Sequence, residues 1–180
     1  VLSYGIDIDR FRSNLSGKVQ NKIKSKYGFQ YHNVVLFVGK LSKNKNVDKL
    51  IESVSELDEH SIHLFIIGDG KERGRLEALA ERRLENNYTF TGKIPNDDLA
   101  NYYAVSDMLV LPSNSENWGL VMNEAIACGT PVIATEHSGA VGDLIIDHQT
   151  GLVVDPNIQR DIGEAIDKYL SDEELRNRIL

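Results

Sequence analysis

Short apolar runs alternate with stretches of helical spacing along most of the chain, and this alternation limits the fold more than any other feature. Residues 34–38 read Val-Val-Leu-Phe-Val and stop at Gly39, the pattern of a strand buried on both faces. Residues 46–57 follow with Val47, Leu50, Ile51, Val54 and Leu57 at helical intervals. Residues 63–67 form a second buried run before Gly68-Asp69-Gly70, and residues 72–85 carry Leu76, Leu79, Ala80 and Leu84 among charges. Residues 88–91 form a short strand ending at Gly92, and residues 96–105 a helix with Asn96 or Asp97 near its N-cap. The series continues with a strand at 108–111 stopped by Pro112, a nearly all-apolar and therefore buried helix at 119–128, strands at 131–135 and 152–154, and a last amphipathic helix at 159–170. Strict alternation of this kind predicts the α/β class, a Rossmann-like doubly wound parallel sheet with right-handed crossovers. Ligands of such sheets sit at the carboxyl ends of the strands, so the loops to inspect follow Val38, Ile67, Thr91, Leu111 and Thr135.

Composition narrows the function. With 20 basic against 27 acidic residues the net charge is −7, which argues against general binding to nucleic acid or anionic membranes while leaving room for one small anionic ligand. The single cysteine, Cys128, excludes a disulfide framework and a multi-cysteine zinc site. No apolar run approaches the roughly 20 residues that span a bilayer. The sequence opens Val1-Leu2-Ser3-Tyr4-Gly5 without an initiator methionine and stops inside a charged helical stretch, residues 172–180, so it reads as a fragment of a longer protein.

The segment after the strand at 108–111 carries the most chemistry. Pro112-Ser113-Asn114-Ser115-Glu116-Asn117-Trp118-Gly119 leads into a helix opening Leu120-Val121-Met122-Asn123-Glu124. A glycine at the helix start lets a ligand reach the free backbone N–H groups, and these with the helix dipole make an anion site. Glu116 and Glu124 are eight residues apart, at most about 12 Å of helical rise, with the helix N-terminus between them. Two carboxylates flanking an anion cradle suit a ligand with hydroxyls at both ends and phosphates in the middle, the layout of a sugar nucleotide. The plainer alternative pairs Glu124 with a neighbouring loop and leaves Glu116 a solvated acid. In the first loop, Gly39-Lys40-Leu41-Ser42-Lys43-Asn44-Lys45 gathers three lysines suited to a diphosphate, or merely solvated.

Other candidates are weaker. Gly68-Asp69-Gly70 has its next glycine at Gly74, so no G-x-G-x-x-G is present and a tight strand-to-helix turn is the better reading. Asp7-Ile8-Asp9 is formally a D-x-D, but it precedes the first buried strand. His32, His60, His63, His137 and His148 lack metal-ligand spacing. His137 and His148 fall on loops near the expected ligand mouth and read as surface residues. Cys128 reads as inert core, and Trp118 as a packing anchor whose backbone N–H is the functional part.

Together these loops resemble the C-terminal, donor-binding half of a retaining glycosyltransferase of the two-Rossmann-domain (GT-B) class, glycosyltransferase family 4, also called glycosyl transferases group 1. The resemblance covers essentially the whole chain. Tyr4-Gly5-Ile6-Asp7 through Phe11 looks like the segment joining the two halves, and Phe37-Val38-Gly39-Lys40-Leu41 with Lys45 looks like the family's "G-R-L…K-G" loop. Gly68-Asp69-Gly70, Phe90-Thr91-Gly92 and Thr150-Gly151-Leu152 fit as well. Pro112-Ser113, Glu116, Glu124-Ala125 and Cys128-Gly129-Thr130-Pro131-Val132-Ile133 form the E-x7-E signature with its flanks. Three positions depart: Lys40 stands where arginine is usual, Asn46 replaces a glycine, and residues 138–143 differ from "G-G-x-P-E".

The resemblance implies residues 1–15 as the remnant of an interdomain linker and 16–180 as a nucleotide-sugar-binding domain. It implies that Glu124 binds ribose hydroxyls, that Glu116 with the backbone of Asn117, Trp118 and Gly119 holds the donor sugar, and that the N–H groups of Leu120 and Val121 meet the distal phosphate. Lys40 and Lys45, beside Gly39, would neutralise the leaving diphosphate, and the backbone beside Lys93 and Ile94 would receive the base. Lys40, Lys45 and Glu116 are thus the expected catalytic residues. No cofactor and no metal are expected, the nucleotide-diphosphate sugar being the substrate. The expected partners are that nucleotide sugar, an acceptor sugar, lipid-linked sugar or other glycan precursor, and the protein's own N-terminal domain, with no nucleic acid. The expected location is cytoplasmic, including the inner face of the membrane by peripheral association through the missing half. A different enzyme of the same architecture, such as a nucleotide-sugar epimerase or a phosphorolytic enzyme, and a non-catalytic nucleotide-sugar-binding module are the alternatives.

Overall fold

A computed structural model describes residues 5–29, 32–57 and 60–179. Six strands form one parallel sheet: β1 (Asn33–Val38), β2 (Ile62–Ile67), β3 (Tyr88–Gly92), β4 (Met108–Leu111), β5 (Val132–Thr135) and β6 (Leu152–Val154). Their spatial order is β3-β2-β1-β4-β5-β6, so the order reverses between β1 and β4. Every pairing is parallel, with Val35 opposite Leu64 on one side of β1 and Met108 on the other. Five of the six residues in β1 and all six in β2 are buried, as two-sided coverage requires. Fully burying each such Leu, Ile or Phe side chain contributes roughly 1.5–3 kcal/mol, so the central strands hold the two helical layers together.

Helices α3 (Val47–Val54), α4 (Arg73–Arg83), α5 (Asn96–Ala104), α6 (Leu120–Ala127) and α7 (Gln159–Ser171) lie where the sequence places them, and α8 (Glu173–Ile179) occupies the charged C-terminal stretch. Pro95 takes the cap position of α5, and Asn96 and Asp97 follow it directly, near the cap as the sequence indicates. Proline fixes φ at about −65°, close to the −56° found there, and Asp97 lies in the first turn, where the helix dipole favours an acid.

Two helices have no counterpart in the sequence reading. α1 (Ile8–Ser13) lies in the stretch read as a linker remnant and rests against α6 and α5. α2 (Gly17–Tyr27) is dominated by polar and basic residues, with Ile23 its one buried side chain. It ends at Gly28, whose φ of 71° closes the last turn, and delivers Tyr27 and Phe29 onto Phe65 of β2 at ring-centroid distances of 4.9 and 5.0 Å. Tyr4, and with it the first residue of the joining segment, lies outside the described residues. No helix among the described residues is long and apolar enough to cross a membrane.

The turns after β1 and β2 touch backbone to backbone. Gly39 N–H donates to the Ile67 carbonyl at 3.0 Å and Leu41 N–H to the Asp69 carbonyl at 3.0 Å. Gly68 has φ of 144°, and a Cβ there would fall 1.8 Å from the Gly39 carbonyl oxygen. The Gly68-Asp69-Gly70 element is therefore a packing turn, as its spacing indicates.

His63 is buried in β2, with Nε2 2.9 Å from the Thr89 hydroxyl. Burial, helped by His32 nearby, pulls its pKa from 6.5 down to about 4. A proton must therefore be taken up on unfolding at acid pH. This contribution to stability is fully present above about pH 6.5 and fades as pH falls towards 4, by about 2 kcal/mol. Urea unfolding at pH 7.5 and 4.5 should show a larger acid loss for the wild type than for His63→Asn. Equal losses in the two proteins would show that His63 titrates alike folded and unfolded.

Candidate functional site

The carboxyl edge of the sheet opens into two adjoining clefts. The larger, about 730 Å³, lies over the ends of β1, β2 and β3 and is lined by Lys40, Lys93, Ile94 and Glu124 among others. The smaller, about 380 Å³, lies over β1 and β4 and is lined by Lys45, Glu116, Asn117, Trp118, Gly119 and Leu120. Val38, Gly39 and Val121 line both, so the two are halves of one groove with the first turn of α6 at its middle. Every residue expected to bind the donor or to act in catalysis lines one half or the other.

Gly119 starts α6 with φ of 84°, and the chain turns there from loop into helix. Met122 N–H bonds back to the Gly119 carbonyl at 2.8 Å, whereas helix geometry gives the N–H groups of Leu120 and Val121 no intrahelical acceptor, and Val121 lies where the two clefts join. The helix is less buried than its apolar sequence predicts. Met122, Ala125 and Ala127 face the core, whereas Leu120 is 46 % exposed and Asn123, Glu124 and Ile126 are half-buried. The reason is position: α6 runs from the open edge of the sheet, so its first turn meets the groove and not a second layer. Cys128, expected in the core, is half-buried past the end of α6, and burial pushes its thiol up to about 11.

Glu124 both opens on the groove and has a hydrogen-bond partner. It lines the larger cleft, and Tyr103 Oη donates to its Oε2 at 2.8 Å. Burial pushes its carboxyl up from the ordinary range, and the tyrosine hydroxyl works against that shift. Glu116 forms an ion pair with the Lys45 ammonium, and the two side chains are only 21 and 19 % exposed. Glu116 is therefore not a free solvated acid, and Lys45 is not a free cation. Lys40 projects exposed at the rim of the larger cleft. Trp118 donates from Nε1 to Asn123 Oδ1 at 2.9 Å, which fixes the ring against α6.

The Lys45 and Glu116 loops are stitched together by asparagines. Asn46 is 5 % exposed and takes φ of 49°, the left-handed conformation for which glycine or asparagine is suited. Its Nδ2 donates to the Pro112 carbonyl at 2.8 Å and to Asn114 Oδ1 at 2.6 Å. Asn44 Nδ2 donates to the Ser115 carbonyl at 2.8 Å, and Asn114 N–H returns a bond to the Asn44 carbonyl at 2.9 Å. His137 has Nδ1 3.1 Å from the Asn114 carbonyl, so it braces the Glu116 loop from the β5 side, whereas His148 lines neither cleft. Sequence reasoning missed Tyr103 and the asparagine clamp. Tyr103 follows Leu99 by four and reads as ordinary helix core. Asn46 is visible only as a replaced glycine.

Among the described residues no group of three His, Cys, Asp or Glu side chains is placed to hold a metal ion. Asp9 lies in the first turn of α1 and Asp7 just before it. Neither lines the two clefts.

The family model of glycosyl transferases group 1 matches residues 19–179. The chain is 31 % identical over 174 residues to alpha-D-kanosaminyltransferase of Streptomyces kanamyceticus, covering 95 % of this chain and 45 % of that protein. It is 33 % identical over 187 residues to D-inositol 3-phosphate glycosyltransferase of Corynebacterium jeikeium, covering 98 % and 44 %. The crystal structure of HepE from Anabaena in complex with UDP and glucose shares the fold, with a TM-score of 0.87 at 24 % identity over 97 % of this chain and 48 % of that one. The chain thus spans less than half the length of these curated relatives.

The clamp sets an order of stabilities. Asn46→Gly keeps the left-handed backbone but strips two hydrogen bonds, a loss of about 1–2 kcal/mol. Asn46→Ala loses the same bonds and adds about 1 kcal/mol or more of backbone strain. Thermal melts should rank wild type above Asn46→Gly above Asn46→Ala. An alanine variant as stable as wild type would remove the clamp from this account.

Proposed function

The chain belongs to the glycosyl transferases group 1 family, and from that premise we propose that it is the donor-binding half of an enzyme that moves a sugar from a nucleotide diphosphate to an acceptor hydroxyl with retention of configuration. The observation that carries this reading is the single groove with Glu124 at one end, the Lys45–Glu116 pair at the other and the α6 N-terminus between them. A nucleotide sugar laid along it puts its base against the backbone beside Lys93 and Ile94 and its ribose hydroxyls on Glu124. The diphosphate lies over the N–H groups of Leu120 and Val121, and the sugar rests beside Glu116, Asn117 and Trp118. The HepE structure, which holds UDP and glucose, supports this class of ligand.

In the transfer, the bond between the anomeric carbon and the diphosphate oxygen breaks and its electron pair leaves with the diphosphate. A new bond forms from the anomeric carbon to the acceptor oxygen on the face the diphosphate leaves, and the acceptor proton passes to the departing diphosphate oxygen. The negative charge that grows on the leaving group is met by Lys40, Lys45 and the α6 amides, preorganised dipoles and cations that need no metal ion. Lys45 changes partner from Glu116 to phosphate, which frees Glu116 for the donor sugar. The acceptor, a sugar, lipid-linked sugar or other glycan precursor, is bound by a preceding N-terminal domain, and closure of the two halves excludes water. That half also carries any association with the inner face of a membrane.

A thermal-shift screen of nucleoside diphosphates and nucleotide sugars, run in excess EDTA, should find at least one diphosphate that raises Tm. Lys45→Ala should weaken that diphosphate by about tenfold or more while leaving the free nucleoside unchanged, because the variant offers the phosphate no ammonium and leaves the Glu116 carboxylate unpaired beside it. No stabilising diphosphate, or binding that appears only with Mg²⁺ or Mn²⁺, would overturn the reading.

A further inference from the structure

Tyr103 is the bulkiest of the fully buried side chains, yet its ring alone does not account for it. Phenylalanine would fill the same space without a hydroxyl to desolvate, and a buried hydroxyl is costly unless bonded. Here the hydroxyl goes to Glu124 Oε2 at 2.8 Å, a donor directed at a carboxylate on the wall of the larger cleft. Tyr103 is itself tied from the other side. Its carbonyl accepts from Thr130 Oγ1 at 2.8 Å, and Thr130, 2 % exposed, donates its own N–H to the Ala125 carbonyl at 2.9 Å. The last turn of α5 is thus bonded twice to the α6–β5 segment, once through Glu124 and once through Thr130.

We propose that Tyr103 is a positioning residue for nucleotide binding: its hydroxyl holds one carboxylate oxygen of Glu124 so that the other faces the cleft and accepts from ribose hydroxyls. The inference rests on the reading of Glu124 given above. A glutamate on an open groove wall samples many rotamers, and fixing one before the ligand arrives removes that ordering cost from binding. The bond also explains Thr130, which lies six residues beyond Glu124. Thr130 secures the backbone that aims the tyrosine.

The test measures affinity for UDP, GDP and ADP, each against its 2′,3′-dideoxy counterpart, by calorimetry at pH 7.5. Wild type should prefer the ribose form of whichever base it binds by about tenfold or more. Tyr103→Phe should lose about five- to tenfold for the ribose form, with the dideoxy form unchanged, so the preference collapses. In a Glu124→Gln background the same substitution should have no further effect on the preference, the mark of an effect that travels through Glu124. A merely structural tyrosine would weaken both forms alike. A wild type with the preference and a Tyr103→Phe variant that keeps it would overturn the positioning role alone. A wild type that binds without preference would overturn the Glu124 assignment and the positioning with it. If none of the three diphosphates binds, the nucleotide reading fails and the role of Tyr103 falls too. Should Tyr103→Phe not melt cooperatively, Thr130→Val carries the test from the backbone end, where an undiminished preference would again overturn the role.

Discussion

A parallel sheet sends every strand's carboxyl end to the same edge, and the site depends on that constraint. β1 to β6 pair only in parallel, so the loops carrying Lys40, Lys45, Lys93 and Glu116 all open on one side. The reversal of order between β1 and β4 leaves a crevice at their ends, and the first turn of α6, the helix that follows β4, faces it. Close backbone contact between Gly39 and Gly68 then fixes the floor of the larger cleft, because no side chain intervenes to let the turns slide.

The groove is balanced in charge where the molecule is not: Lys40, Lys45 and Lys93 line it with Asp69, Glu116 and Glu124. A chain of net charge −7 repels a diphosphate at long range, so on the proposed reading attraction comes from close groups: Lys40, Lys45 and the N–H groups of Leu120 and Val121. Lys45 is held in place by Glu116 and by the asparagine clamp on either side of it. On the proposed reading the ligand replaces one ion pair by another, so the gain in affinity is the difference between phosphate and carboxylate as partners for the same ammonium. Holding the lysine beforehand keeps the ordering cost of a long flexible side chain out of binding.

Much of this was legible in the sequence, and the exceptions have physical reasons. Buried parallel strands write themselves as continuous apolar runs, so β1, β2, β4 and β5 were readable to within a residue or two. The glutamate pair and the lysine loop were readable because fixed spacing on one loop and one helix carries the geometry. α2 was not, because a helix with one buried residue and a polar surface leaves no periodic apolar signal. The partial exposure of α6 was missed for the opposite reason, since apolar residues at a ligand groove look like apolar residues in a core. Tyr103 was out of reach because its bond to Glu124 spans 21 residues and two elements, and no local pattern records such a contact.

On the proposed reading the groove orders a nucleotide sugar from Glu124 at the ribose end to Glu116 at the sugar end. Calorimetric titration of Glu116→Gln and Glu124→Gln with a nucleoside diphosphate, and with the nucleotide sugar built on it, tests this most directly. Glu124→Gln should weaken both ligands, while Glu116→Gln should spare the diphosphate and weaken only the nucleotide sugar. A Glu116→Gln variant that loses the free diphosphate as severely as Glu124→Gln does would contradict the assigned orientation.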